Sequence, residues 1–391
     1  MASASSTGCR APGTEAAGNA ANDRHALPPN GPAAAPGATR RPRLNPETFD
    51  FPEDLIRAGH YSDKYFVRTR DVLRQDGHSP RVLMQVFCKT AGWIGGVDEA
   101  IAILKRCSDD WPALTVHALY DGDPIAPHET VMTIEGPYDT FAHLETLYLG
   151  ILARRSRILT NTRRVVEAAR PKEVLFFPAR HDHWSLQQGD GYAAHVAGAT
   201  AVSTDAQAAW WGGSGLGTVP HAAIAAYGGD TVLAARKFAD HIPDSVPLVV
   251  LVDFDNDSVG TAVDVARALG SRLYGVRLDT SGTLVDKSVV PRMGQFDPRG
   301  VNPQLVRNVR EALDDAGFED VRIVVSGGFG VAKIRAFESD GLPVAAYGVG
   351  SSLVANDGSF DFTADIVQNE GRPSAKVGRG YSPNPRLEVV E

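Results

Sequence analysis

The sequence lacks any apolar run approaching the roughly 20 residues needed to span a bilayer; strand-like runs such as Leu248–Val252 are far shorter. Cysteine is scarce, three in 391 residues (Cys9, Cys88, Cys107), with no CxxC pair and no zinc spacing. That count excludes a disulfide scaffold and predicts no zinc site. Positive charge is not in excess either. There are 39 Lys and Arg against 47 Asp and Glu, a net charge of −8, so no charge-driven grip on nucleic acid or membrane is expected. No internal repeat is visible, and no continuous apolar segment near the start reads as a secretory signal. A cytoplasmic enzyme or binding protein remains. With 43% hydrophobic and 22% charged residues over 391 positions, there is material for two or three domains and a sizeable core.

Residues 1–45 are dominated by Ala, Pro, Gly, Ser and Asn, a composition that buries too little surface to offset the entropy of ordering, and so predict a disordered tail. Residues 46–150 are mixed. Val82–Phe87 reads as a strand and Gly96–Leu104 as a helix. Further strand-like pieces at Leu114–Tyr120 and Thr130–Ile134 are separated by a turn at Asp121–Pro124. This predicts a smaller α+β domain, to which residues 365–391 are expected to return. A helix interrupted once is expected over Asp139–Ala169.

Over 151–364 short apolar strands alternate with amphipathic segments. Strands are expected near Val174–Phe177, Ala199–Ser203, Gly217–Val219, Leu248–Val252, Leu273–Arg277, Arg322–Ser326 and Val344–Gly348, with helices such as Ser258–Leu269 and Pro303–Ala316 between them. Buried β-branched strands alternating with helices predict a parallel sheet, and about seven units predict an incomplete βα barrel. The fold class is therefore α/β.

In such a barrel, chemistry gathers where strands end. Here successive strand ends carry Asp253, then Arg277-x-Asp279, then Ser326-Gly327-Gly328, then Gly350-Ser351. Two Gly-rich loops on the last strands predict a phosphate cradle built from backbone N–H groups; the plainer alternative is that both merely permit tight turns. Asp253-x-Asp255-x-Asp257 is no calcium loop, because Ser258 stands where glycine is needed and a strand precedes it. Asp253 is a candidate for sugar hydroxyls or for Mg²⁺ through water, whereas Asp255 and Asp257 read equally as solvated helix caps. His221, after Gly217-Thr218-Val219-Pro220, is a candidate catalyst or a structural histidine. His181 and His183 have metal-like spacing but no third ligand. Trp210-Trp211 reads as packing.

Taken together, the segments Tyr61-Ser-Asp63-Lys-Tyr65-Phe66, Leu144-Glu145-Thr-Leu, Phe177-x-x-Arg180, Ser203-Thr204-Asp205, Gly217-Thr-Val-Pro-His221-Ala222, Val276-Arg277-Leu278-Asp279, Ser326-Gly327-Gly328 and Gly350-Ser351-Ser352 resemble the nicotinate phosphoribosyltransferases, in their shorter prokaryotic branch. The resemblance covers about residues 61–380. It implies a type II phosphoribosyltransferase with an incomplete barrel and active sites shared across a homodimer. The implied reaction joins nicotinate to 5-phosphoribosyl 1-diphosphate, giving nicotinate mononucleotide and diphosphate for NAD salvage. ATP would be co-substrate through a phosphohistidine at His221. By the same resemblance, Phe177 and the partner's copy of Tyr65 sandwich the pyridine ring, while Arg180, Asp205 and Thr218 serve the base site. Asp253 and Asp279 hold ribose hydroxyls and a diphosphate-bound Mg²⁺, and Arg277 neutralises phosphate. Ser326, Gly327, Gly328, Gly350 and Ser351 cradle the 5-phosphate.

The segment Arg180-His-Asp-His-Trp184 departs from the base-site sequences of the best-known members, which leaves nicotinamide and quinolinate as alternative bases. Quinolinate is disfavoured, since its decarboxylating enzymes are shorter and lack the histidine of the GTVPHA segment. A non-catalytic barrel that binds a phosphorylated metabolite is the alternative from another class.

Overall fold

The computed structural model describes residues 41–391. The expected disordered tail therefore lies outside the described residues as far as position 40. Residues 41–45, assigned to that tail from composition, are held. Arg43 Nη1 donates to Asp98 Oδ1 (3.0 Å), the Leu44 N–H donates to Asp98 Oδ2 (2.9 Å), and the Arg43 guanidinium lies 3.8 Å from the Tyr120 ring centroid.

The first domain opens with helices α1 (Glu53–Arg57) and α2 (Lys64–Gln75), then strands β1 (Arg81–Cys88) and β2 (Gly92–Trp93). Helix α3 (Val97–Cys107), strands β3 (Thr115–Ala118), β4 (Pro124–Ile125) and β5 (Thr130–Pro137), and helix α4 (Glu145–Ala169) follow. The expected break in the long helix lies at its start, where Tyr138–Thr140 and Ala142–Leu144 form two 3₁₀ turns. Helix α3 places Val97, Ala100, Ile101, Leu104 and Cys107 at helical spacing, and all are buried against the sheet. Each large aliphatic side chain so covered contributes roughly 1.5–3 kcal/mol.

The barrel strands are β6 (Glu173–Phe176), β7 (Ala201–Val202), β8 (Leu248–Leu251), β9 (Leu273–Leu278), β10 (Arg322–Val325) and β11 (Ala346–Val349). They alternate with helices α5 (Gln187–Ala197), α6 (Asp205–Ala208), α7 (His221–Ala226), α8 (Thr231–His241), α9 (Ser258–Leu269), α10 (Pro303–Asp315), α11 (Val331–Ser339) and α12 (Ser351–Val354). The sheet is wholly parallel, in the order β7-β6-β11-β10-β9-β8. Leu175, Val249, Val324 and Ala346 meet in its interior with Phe177, Ala201 and Leu216.

Gly217–Val219 departs from expectation: it forms no strand beyond a single bridge from Val219 to Val250. Backbone bonds nevertheless tie this segment to both sheet edges, from Leu216 N to Val202 O (2.7 Å) and from Val219 N to Val249 O (2.9 Å). Pro220 removes the next donor, so pairing cannot continue and the chain turns into α7.

The C-terminal strands β12 (Phe362–Asn369), β13 (Arg372–Pro373) and β14 (Glu388–Val389) join the first sheet, whose order is β13-β12-β1-β5-β3-β14. A buried ion network links that domain to the barrel. Arg155 on α4 donates from Nε to Glu99 Oε2 on α3 (2.8 Å) and from Nη1 to Asp190 Oδ1 on α5 (2.8 Å). Gly189 gives it room, since a Cβ there would sit 2.0 Å from Arg155 Cζ.

Candidate active site

Parallel register brings the strand-end residues into contact. Leu278 on β9 lies opposite Val325 on β10, so the next residues, Asp279 and Ser326, become neighbours. Ser326 Oγ donates to Asp279 Oδ1 at 2.7 Å. Arg277, from the last turn of β9, donates to three acceptors: Ser326 Oγ through Nε (2.8 Å), Asp279 Oδ2 through Nη2 (3.2 Å) and Thr218 Oγ1 through Nη1 (3.3 Å). Its guanidinium carbon also lies 5.2 Å from the Phe177 ring centroid. One arginine thus ties together β9, β10, the β6 loop and the segment that closes the barrel.

These residues line a cleft of about 770 Å³ at the C-terminal ends of the strands, with Arg180, His181, His221, Gly327, Gly328, Gly350 and Ser351 around it. Gly327 and Gly328 adopt left-handed backbone (φ +86° and +68°), which glycine alone adopts without strain and which leaves their N–H groups free of a regular ladder. Gly348 is required by close approach: a Cβ there would lie 2.7 Å from the Phe177 ring.

Asp253 stands behind the cleft wall. His221 Nε2 is 3.0 Å from Asp253 Oδ1, and the acid's side chain is 7% exposed against 43% for the imidazole. Burial pushes the Asp253 carboxyl above the usual carboxylate range, while the facing His221 pulls it back down. An aspartate holding a half-exposed histidine is the arrangement that fixes a tautomer for nucleophilic or acid–base work.

Two expected base-site residues lie apart from the cleft lining. Asp205 opens α6 and accepts from the Gly215 N–H at 2.8 Å, bracing the Trp211–Gly215 turn. Tyr65, on α2 of the first domain, is 60% exposed. Of the two spaced histidines, His181 lines the cleft, whereas His183 turns away to Ser185 Oγ (2.7 Å). Among the described residues no group of three or more His, Cys, Asp or Glu side chains is placed to hold a metal. Asp257 caps α9 through the Gly260 N–H (3.2 Å) and pairs with Lys287, which holds its carboxyl below the usual range. Trp210 packs edge-on to Phe49.

Lys333 carries no functional signal in the sequence, since a lysine in an amphipathic helix is expected to face solvent. It packs 4.2 Å above the Phe329 ring, donates to the Gly327 carbonyl (3.3 Å), and burial pulls its pKa down.

Residues 63–156 match the family model described as the N-terminal domain of quinolinate phosphoribosyl transferase. The chain is 32% identical to the nicotinate phosphoribosyltransferase pncB1 of Mycobacterium tuberculosis, over 91% of this chain and 81% of that protein. It is 26% identical to the nicotinate phosphoribosyltransferase of Bacillus subtilis, over 61% of this chain and 45% of that one. Among solved structures, nicotinate-nucleotide pyrophosphorylase from Pyrococcus furiosus superposes with a TM-score of 0.73 at 33% identity, covering 88% of this chain and 85% of that one. Human nicotinic acid phosphoribosyltransferase shares the fold, with a TM-score of 0.60 at 17% identity over 82% of this chain and 77% of that one. No helix among the described residues is long and apolar enough to cross a membrane.

Proposed function

The chain belongs to the nicotinate phosphoribosyltransferase family, and from that premise we propose that it joins nicotinate to 5-phosphoribosyl 1-diphosphate, releasing diphosphate, with ATP as co-substrate. The observation that carries this reading is the sharing of one cleft by an aromatic face, an arginine and two glycine loops. Phe177 offers its ring to a pyridine, and Arg180, with no hydrogen-bond or ion-pair partner among the described residues, suits a carboxylate. Gly327, Gly328, Gly350 and Ser351 offer N–H and O–H groups to a phosphate at the other end.

In the proposed reaction the C1–oxygen bond to diphosphate breaks as the pyridine nitrogen forms its bond to C1, through an oxocarbenium-like sugar. Arg277, locked by its three hydrogen bonds, meets the charge developing on the leaving diphosphate without reorganising. Phe177 keeps the ring in line with C1. The exposed Tyr65 is read as closing the pyridine sandwich in the cleft of a second copy.

Mg²⁺ fits the donor set as a shared rather than caged ion. Asp279, in the cleft lining, would supply a carboxylate, and Asp253, behind the wall, would act through water; both are already engaged, by Arg277 and Ser326 and by His221. The remaining oxygens would come from the diphosphate and water, the usual habit of Mg²⁺. Such an ion neutralises leaving-group charge.

ATP coupling is assigned to His221. Asp253 holds the Nε2 proton, so Nδ1 attacks the γ-phosphorus, the bond to the β–γ bridging oxygen breaks, and ADP leaves. Later attack by water returns free imidazole and phosphate. The phosphorylated ring adds charge beside the diphosphate site, which couples ATP to turnover with no ATP atom entering the product.

The test is mass spectrometry of products from phosphoribosyl diphosphate, Mg²⁺ and nicotinate, nicotinamide or quinolinate, each with and without ATP. Nicotinate mononucleotide formed faster with ATP, with that gain lost in His221→Ala, is expected. Absence of mononucleotide from every base overturns the reading.

A further inference from the structure

The cleft holds four basic side chains, and two already face an acid: His221 faces Asp253 and Arg277 faces Asp279. Arg180 and His181 have no side-chain hydrogen bond or ion pair among the described residues. A ligand with a carboxylate at one end and a phosphate at the other requires both, and the backbone decides which end each serves.

The loop after β6 fans its side chains apart. Asp182 is drawn outward to Arg154 on α4 (2.6 Å), and His183 is held by Ser185. The His181 N–H closes a turn onto Pro178 O (2.8 Å), which leaves its ring over the last glycine loop of the barrel. The fit there is close. A Cβ on Gly350 would lie 2.6 Å from His181 Cε1, 3.2 Å from Nδ1 and 3.6 Å from Nε2. Gly350 has a φ of −116°, outside the left-handed region, and a larger residue there would have to push the imidazole aside.

Resting on the reading of that loop as the 5-phosphate cradle, we infer that His181 is a direct ligand of the ribose 5-phosphate. It adds a side-chain donor beside the backbone amides of Gly327, Gly328 and Gly350. A hydrogen bond to an ionised phosphate is roughly twice as strong as one between neutral groups, and the proposed reaction places Arg277 at the diphosphate, not at this loop. Arg180 is then left for the carboxylate of the base.

The experiment measures steady-state kinetics together with calorimetric binding of ribose 5-phosphate to the full chain. His181→Ala is expected to raise KM for phosphoribosyl diphosphate about tenfold and to weaken ribose 5-phosphate by the same factor. KM for nicotinate stays within about twofold. His181→Arg, which keeps a side-chain N–H donor at this position, restores most of the loss, and His183→Ala changes neither constant. His181→Asn is carried alongside, so that a folding defect in one variant leaves the other to report. A rise in KM for nicotinate or quinolinate instead would assign His181 to the base and overturn the inference, as would no change in any constant. Calorimetry keeps this test separate from the proposed reaction. Wild-type protein that makes no mononucleotide yet loses ribose 5-phosphate affinity in His181→Ala refutes the reaction and not the phosphate ligand.

Discussion

His221 Nε2 lies 3.0 Å from Asp253 Oδ1, and the two residues are separated by 32 positions of sequence. The carboxylate accepts from Nε2–H and leaves Nδ1 as the nitrogen with a free lone pair. In Asp253→Asn the amide can present its own N–H to Nε2 and reverse that assignment. Phosphate incorporation from γ-labelled ATP should then fall on the order of 10²-fold, while nicotinate binding persists. Incorporation at the wild-type rate would show that Asp253 does not set the tautomer.

Arg277 is expected to tolerate no conservative change. A lysine presents one point charge where the guanidinium now meets Ser326, Asp279 and Thr218 together. Arg277→Lys should lower kcat by about 10²-fold and lower Tm only modestly, because the strand ends lose hydrogen bonds but no core packing. Calorimetric scans and initial rates on the same preparation distinguish this from simple unfolding.

Gly348 tests the aromatic wall. A methyl at this position would lie 2.7 Å from the Phe177 ring, so Gly348→Ala forces the ring to tilt at a cost of about 1–2 kcal/mol. KM for nicotinate should rise about tenfold as the stacking geometry degrades, and KM for phosphoribosyl diphosphate should move much less. Equal changes in both would mean that the cleft as a whole has shifted.

The strand ends were readable because parallel β/α units carry their own punctuation: an apolar β-branched run, then Asp253, Asp279, Ser326 or Gly350 at the point where the run stops. The resulting sheet keeps those residues side by side. The pairings between them were not readable, since they depend on sheet order and on contacts far apart in sequence. Nothing local ties His221 to Asp253, or Arg277 to Thr218. The Gly217–Val219 segment has the composition of a strand, but Pro220 limits it to one bridge. His181 and His183 look equivalent as a spaced pair, and only the turn closed on Pro178 sends one into the cleft and the other to Ser185. Asp205 carries a family motif, yet its carboxylate is bonded to the Gly215 N–H.

Glu145, the first residue of α4, links the pH of the solution to stability. It lies in a groove with Phe66, Val82, Met84, Tyr138 and Asp365. Burial, reinforced by the charges of Asp365 and Asp63, raises its carboxyl from 4.5 to about 8. Between those two values the folded chain keeps the proton and the unfolded chain has lost it. The native state therefore binds more protons, and stability falls as pH rises from about 4.5, levelling off above about 8. Glu145→Gln removes the ionisation while keeping the shape of the side chain. It should flatten that slope and raise stability above pH 8 by roughly 2 kcal/mol, less than the full shift implies because the carboxyl keeps some contact with water. Melting curves of both proteins at about pH 4, 6.5 and 9, values chosen to bracket that window, decide it. Tm values that converge at the acid end and separate at the alkaline end are expected, and parallel curves would assign the groove's pH response to another group.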